Sequence, residues 1–231
     1  MIRRVVIGVA LAVVVPVSAW AQDPSHWGMS VTLTPNWSVP ARVGDALGGT
    51  IDLQGSDVNV GFVHGREFGG DWGVNFVRKN VKDGSTANDL SQDCSFANGC
   101  VQSGESITYT DTRLTGIEVS KYVNFATISR RVQIGMTFAG GIASVSGTQV
   151  KREFSADFVG VAPGGAPVGR QTQTVTVAPA DFGVSPFPLV KIQLAVGVLA
   201  THGVKLRVAG GLDTPGVSIF SITGVYLFGA R

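Results

Sequence analysis

The chain has 231 residues, 44% of them hydrophobic and only 15% charged, with 31 glycines and a formal net charge of +2. That length bounds it to one domain or a modest two. Arg3 and Arg4 account for the whole positive excess, so the remainder is neutral and lacks the basic footprint of a nucleic-acid partner; no later apolar run reaches the ~20 residues of a spanning helix, which excludes a helical membrane protein.

Residues 1–21 read as a cleaved export signal: the basic pair Arg3 and Arg4, an apolar run from Val5 to Val17, and the small-x-small site Ala19-Trp20-Ala21. Residues 22–231 then form the folded domain. Its first predicted strand, Trp27 to Pro40, alternates cleanly, with Trp27, Met29, Val31, Leu33 and Trp37 on one face and Gly28, Ser30, Thr32, Thr34 and Asn36 on the other. A Gly-rich stretch, 41–56, reads as a loop or frayed strand top. The second strand begins at Ile51 or Asp57 and ends at Gly65, with Val58, Val60 and Phe62 outward and Asp57, Asn59 and Gly61 inward. After the reversal Arg66–Gly70 comes the third, Asp71 to Val81, where Trp72, Val74 and Phe76 oppose Gly73, Asn75, Val77 and Lys79.

Residues 82–107 are polar and read as a long loop. The fourth strand, Thr108 to Val123, has Thr115, Ile117 and Val119 outward, and Leu114, Gly116, Glu118 and Ser120 inward. A short connection, 124–130, leads to the fifth, with Val132, Ile134, Met136 and Phe138 outward. Residues 149–185 form the longest irregular stretch, with strand extensions on either side of a tip at Gly164, Gly165 and Pro167. The sixth strand, Pro188 to Ala200, sets Val190, Ile192, Leu194, Val196 and Val198 against Lys191, Gln193, Ala195 and Gly197. A tight turn at His202-Gly203 precedes the seventh, Val204 to Gly211, with Lys205 and Arg207 inward. Asp213-Thr214-Pro215-Gly216 is a turn signal before the closing strand, Val217 to Ala230.

Eight strands result, and their connections sort by length. The second, fourth and sixth are short and the third and fifth long, as expected of an outer-membrane barrel with short turns on the periplasmic side. The fold class is therefore all-β: an eight-stranded antiparallel up-and-down transmembrane barrel. A closed sheet leaves no edge in hydrocarbon, where an unpaired backbone group costs several kcal/mol. Trp27, Phe62, Trp72, Phe125, Tyr226 and Phe228 form the periplasmic aromatic girdle in this reading, with Trp37 and Phe220 in the upper one.

With its alternation and its ending Gly224-Val225-Tyr226-Leu227-Phe228, the chain resembles the small eight-stranded outer-membrane barrels typified by the OmpA transmembrane domain and OmpX. The resemblance spans Trp27 to Phe228. It implies outer-membrane lipid and the barrel-assembly machinery as partners and the outer membrane as location. Members often end on an aromatic residue that the machinery reads, whereas here Gly229, Ala230 and Arg231 follow Phe228.

The inward charges Asp57, Glu118, Lys191, Lys205 and Arg207 are the candidate site. In so narrow a barrel they form an ion-pair network that plugs the interior, with Glu118 paired to Arg207 or Lys205. Cys94 and Cys100, exported to an oxidising compartment, are expected to form a disulfide closing a small loop; no histidine has ligand spacing to them, so no metal or cofactor is read. His64 and His202 lack a Ser partner, and no Gly-x-Ser-x-Gly elbow exists. The expected function is structural or surface-interacting, through the long third and fifth connections and an unidentified extracellular ligand or partner. A narrow solute pore, a soluble calycin-like carrier and a lipid-modifying enzyme are the alternatives.

Overall fold

The computed structural model describes residues 24–39, 49–88, 91–95, 99–128, 131–161 and 167–230. The predicted export signal lies outside them. No helix occurs among the described residues. Ten strands form one antiparallel sheet: β1 (His26–Ser38), β2 (Gly49–Gly65), β3 (Asp71–Asn88), β4 (Ser91–Ser95), β5 (Gly99–Thr127), β6 (Val132–Val161), β7 (Pro167–Pro179), β8 (Phe187–Thr201), β9 (Val204–Asp213) and β10 (Gly216–Leu227). Eight of them close a barrel in the order β1-β2-β3-β5-β6-β8-β9-β10, and β10 returns to β1. The two others extend neighbours, β4 lying on β5 and β7 on β6.

Closure is staggered. Stepping strand to strand from Gly116 through Val77, Asn59, Thr32, Thr223, Arg207, Gly197 and Gln133 returns to β5 at Thr127, not at Gly116. That stagger obliges the strands to tilt against the barrel axis. Short turns at Arg66–Gly70 and His202–Gly203 gather at the end that holds Trp27 and Phe228, and the long connections leave from the other.

Period-two alternation fixes what faces where. On β8 the row Val190, Ile192, Leu194, Val196 and Val198 is exposed, and the row Lys191, Gln193 and Ala195 is buried. The same inversion holds on β1, β2, β3, β9 and β10, so apolar residues are outside and most charges inside. Phe62, Trp72, Phe125, Tyr226, Phe228 and Phe220 all face out, and Trp27 packs edge-on against Trp72 at 5.7 Å.

Trp37 corrects the expected upper girdle, because its side chain is buried inside the barrel at 1% exposure. The cause is a β-bulge. Beyond Thr34 the β1 register shifts against β2, and beyond Leu33 against β10, so the alternation is reset across Pro35. A bulge flips every later side chain on its strand to the other face. Gly55 makes the room, since a Cβ there would meet the Trp37 indole and the Asn80 carbonyl.

The expected polar loops at 82–107 and 149–185 are mostly strand. β3 runs on to Asn88, β5 starts at Gly99, β6 reaches Val161, and β7 pairs with β6 from Thr148↔Pro179 onward. These extensions rise past the barrel as a sheet of β2, β3, β5, β6 and β7 ends. Its β7 edge is exposed on both faces over Thr172–Val177, while β5 turns Tyr109 into the mouth cluster, so no continuous apolar period marks the sheet in the sequence. Cys94 and Cys100 stand directly opposite each other in the β4–β5 ladder. Their expected bond falls outside the described side chains.

Candidate functional site: the charged interior

The buried charges lie on two levels along the barrel. Nearer the short turns, Asp71 at the start of β3 accepts both ends of the Arg207 guanidinium, with Arg207 Nη1 donating to Oδ1 at 3.0 Å and Nη2 to Oδ2. Lys205, two residues earlier on β9, reaches Asp71 Oδ2 at 3.5 Å and donates to the carbonyls of Arg66 and Gly69. Tyr122 lies flat against the Arg207 guanidinium, its ring centre 3.9 Å from Cζ, a cation–π contact. Below them Glu67 accepts from the Gly203 main-chain N–H, and Gln133 Nε2 donates to the Glu67 carbonyl at 3.1 Å. The β2–β3 turn is thus latched onto the β8–β9 turn.

On the second level Lys79 sits between two carboxylates. Asp57, its direct cross-strand partner on β2, is 3.1 Å away, and Asp213 on β9 is its second partner. Lys191 lies 3.7 Å from the other oxygen of Asp213 and 3.5 Å from Glu118. Asn75 donates to Glu118 at 3.3 Å and to Ser120 at 2.9 Å, and accepts from Ser30 at 3.2 Å. Strands β3 and β9 stand four steps apart round the barrel. Lys79–Asp213 and Arg207–Asp71 are therefore two ties across the lumen.

Asp57, Glu118, Lys191, Lys205 and Arg207 are all buried in this network, but one pairing differs from expectation. Glu118 meets Lys191, while Arg207 and Lys205 both go to Asp71. Strand β6 explains it: Glu118 is level with Gly141, and Lys191 with Ala139. These small residues let Lys191 reach over β6; a Cβ at Gly141 would press on Glu118 itself. Sequence reasoning omitted three members. Lys79 and Asp71 lay in the inward period of the third strand and could have been included; Asp213 was hidden in a turn signal.

Above the charges the mouth is filled by apolar side chains. Trp37, Leu53, Val77, Val81, Tyr109, Leu114, Ala143, Ala180 and Leu189 form one buried cluster, with Phe182 and Phe187 packed on it. Tyr109 stacks on Phe182 at 5.0 Å and donates to the Asp181 carbonyl at 3.4 Å; burial, with Asp181 and Glu105 nearby, pushes its phenol above the ordinary value. The stretch between β7 and β8 thereby folds in as a cap. His64 is stacked by Trp27 and Trp72, and the exposed His202 lies 3.5 Å from Glu67.

A charged lumen tied in this way fixes the relation of opposite walls. Comparison with known proteins found no matching family model, no matching curated protein and no matching solved structure.

Proposed function

We propose that this protein is an outer-membrane barrel of structural or surface-interaction role, exported by a cleaved signal and presenting a rigid sheet beyond the membrane. The observation that carries the reading is the inverted burial. Large apolar side chains such as Leu194, 60% exposed, and Phe62, 64% exposed, ring the outside, while eight paired charges occupy the inside. Water would penalise so much exposed apolar surface on a monomer; hydrocarbon would not.

The dimensions fit. Val190 to Val198 cover about 26 Å along the strand at ~3.3 Å per residue, which a tilt of ~40° reduces to roughly 20 Å, close to the ~25 Å apolar band of such barrels. The polar lumen speaks against the soluble carrier, whose ligand cavity needs the apolar row inside. The filled mouth and crossed lumen speak against a steady pore.

Recognition would belong to the projecting sheet. Its edge strand β7 has no neighbour on its outer side among the described residues, and such an edge can accept an extended partner by strand addition. The deciding experiment is fractionation followed by electrophoresis with and without boiling in SDS. Outer-membrane protein whose mobility shifts on heating is the expected result; soluble protein in the periplasm would overturn the reading.

A further inference from the structure

A break in the barrel wall carries a second kind of site. The β3–β5 ladder runs from Asp71↔Tyr122 to Asn80↔Arg113, stops, and resumes at Gly84↔Tyr109. Inside the gap Asp111 takes a φ of 50°, and β5 also slips against β6 between Thr110 and Arg113. The two strands are therefore unpaired in register with each other over 81–83 and 110–112. What opens is a cleft of about 460 Å³ lined by Asn80, Val81, Lys82, Asp111, Thr112 and Arg113.

Lys82 and Arg113 against Asp111 leave its lining net positive. The outward row of β3 runs Trp72, Val74, Phe76 and then Arg78, Asn80 and Lys82; that of β5 runs Val119, Ile117, Thr115 and then Arg113. Arg78, Lys82 and Arg113 are exposed, and none of the ion pairs among the described residues includes them. Asp111 is the one acid in the lining. Every buried lysine and arginine of the lumen is in an ion pair with a carboxylate, whereas these three cations are in none of the ion pairs among the described residues.

We infer that this cleft holds the phosphate-bearing headgroup of an anionic lipid in the leaflet on the side away from the short turns. Arg113 and Lys82 supply charge-assisted donors, arginine in the fork geometry suited to phosphate, and Arg78, two residues before Asn80 on the same outward row, adds a third cation below them. A lipid is favoured over a free anion by what lies beneath. Phe76 faces Ile117 and Val74 faces Val119, and these four exposed side chains make an apolar track for an acyl chain running straight into the cleft. The inference rests on the membrane reading above.

The test uses the mature protein inserted into phosphatidylcholine vesicles and doped with spin-labelled phosphatidic acid or spin-labelled phosphatidylcholine. A preference for phosphatidic acid of roughly five-fold or more is expected from several basic groups at one headgroup, falling towards one in the triple variant R78Q/K82Q/R113Q while that variant keeps its heat-dependent mobility. Equal retention of both lipids by the wild type, or a preference that survives in the variant, would overturn the site and leave the barrel reading standing. Displacement of the labelled lipid by millimolar inorganic phosphate would also overturn it, pointing to a free anion. Protein that fails to float with the vesicles would sink the membrane reading and this inference together.

Discussion

At the scale of single residues the lumen depends on matched charge. Lys79 is fully buried between Asp57 and Asp213, so Lys79→Met leaves Asp57 without its cation and Asp213 with Lys191 alone. Breaking one member of a buried network costs roughly 3–5 kcal/mol, to be read from urea unfolding followed by tryptophan fluorescence. Replacing Asp57 and Asp213 with leucine in the same chain is expected to recover much of that loss, because the penalty lies in the orphaned charge. A Lys79→Met loss below about 1 kcal/mol would show that the tie contributes little. The outside obeys the opposite rule. Leu194→Arg places a charge on the apolar band and is expected to destabilise the inserted barrel by ~2–4 kcal/mol if it lies near the midplane, whereas a loss indistinguishable from zero would contradict the lipid-facing assignment. Inwardness of Asp57, Glu118, Lys191, Lys205 and Arg207 was legible because it needs only the period of a strand. Their partners were not, since which carboxylate meets which cation depends on the stagger with which the sheet closes, and no local pattern encodes that stagger.

At the scale of elements, the chain announces the strands that have one dry face and conceals those that have none. β8 and β9 were readable almost to the residue because every second side chain is apolar. β7 and the far halves of β5 and β6 are held by ladder hydrogen bonds with few fully buried side chains, and polar strands of that kind look like loop. The bulge across Pro35 shows a third situation, a correct strand with a wrong face beyond one point. Trp37→Ala should therefore behave as a core truncation, costing about 3–5 kcal/mol, and Gly55→Val should disturb the same indole; an effect of Trp37→Ala no larger than that of the outward Trp27→Ala would restore Trp37 to the girdle. For β4, the direct register of Cys94 with Cys100 places the two Cα atoms about 4.5–5.5 Å apart, within the span a disulfide bridges. Unreduced, denatured protein should accordingly take up no thiol-alkylating reagent, and stoichiometric labelling of both cysteines would exclude the bond.

For the molecule as a whole, the solvent outside decides what the inside has to be. A barrel that meets water fills its lumen with apolar side chains; this one spends its apolar residues on the outer wall, which leaves polar side chains to fill a narrow interior. A polar lumen holds together only when its charges are paired, and the two β3–β9 ties pair them while bracing opposite walls. Passage along the axis would have to break the Arg207–Asp71 level, then the Lys79–Asp213 level, and finally displace the cap of Trp37, Tyr109, Leu189 and Phe182. Three successive obstructions differ from a single gating residue, since loosening any one leaves the others closed. Planar bilayers containing the purified wild-type protein are thus expected to record no steady single-channel steps, and Trp37→Ala, which opens only the cap, is expected to stay silent as well. Regular ohmic steps in the wild type would mean that the lumen conducts despite its ties, and would replace the braced scaffold with a pore whose charged levels act as its selectivity filter.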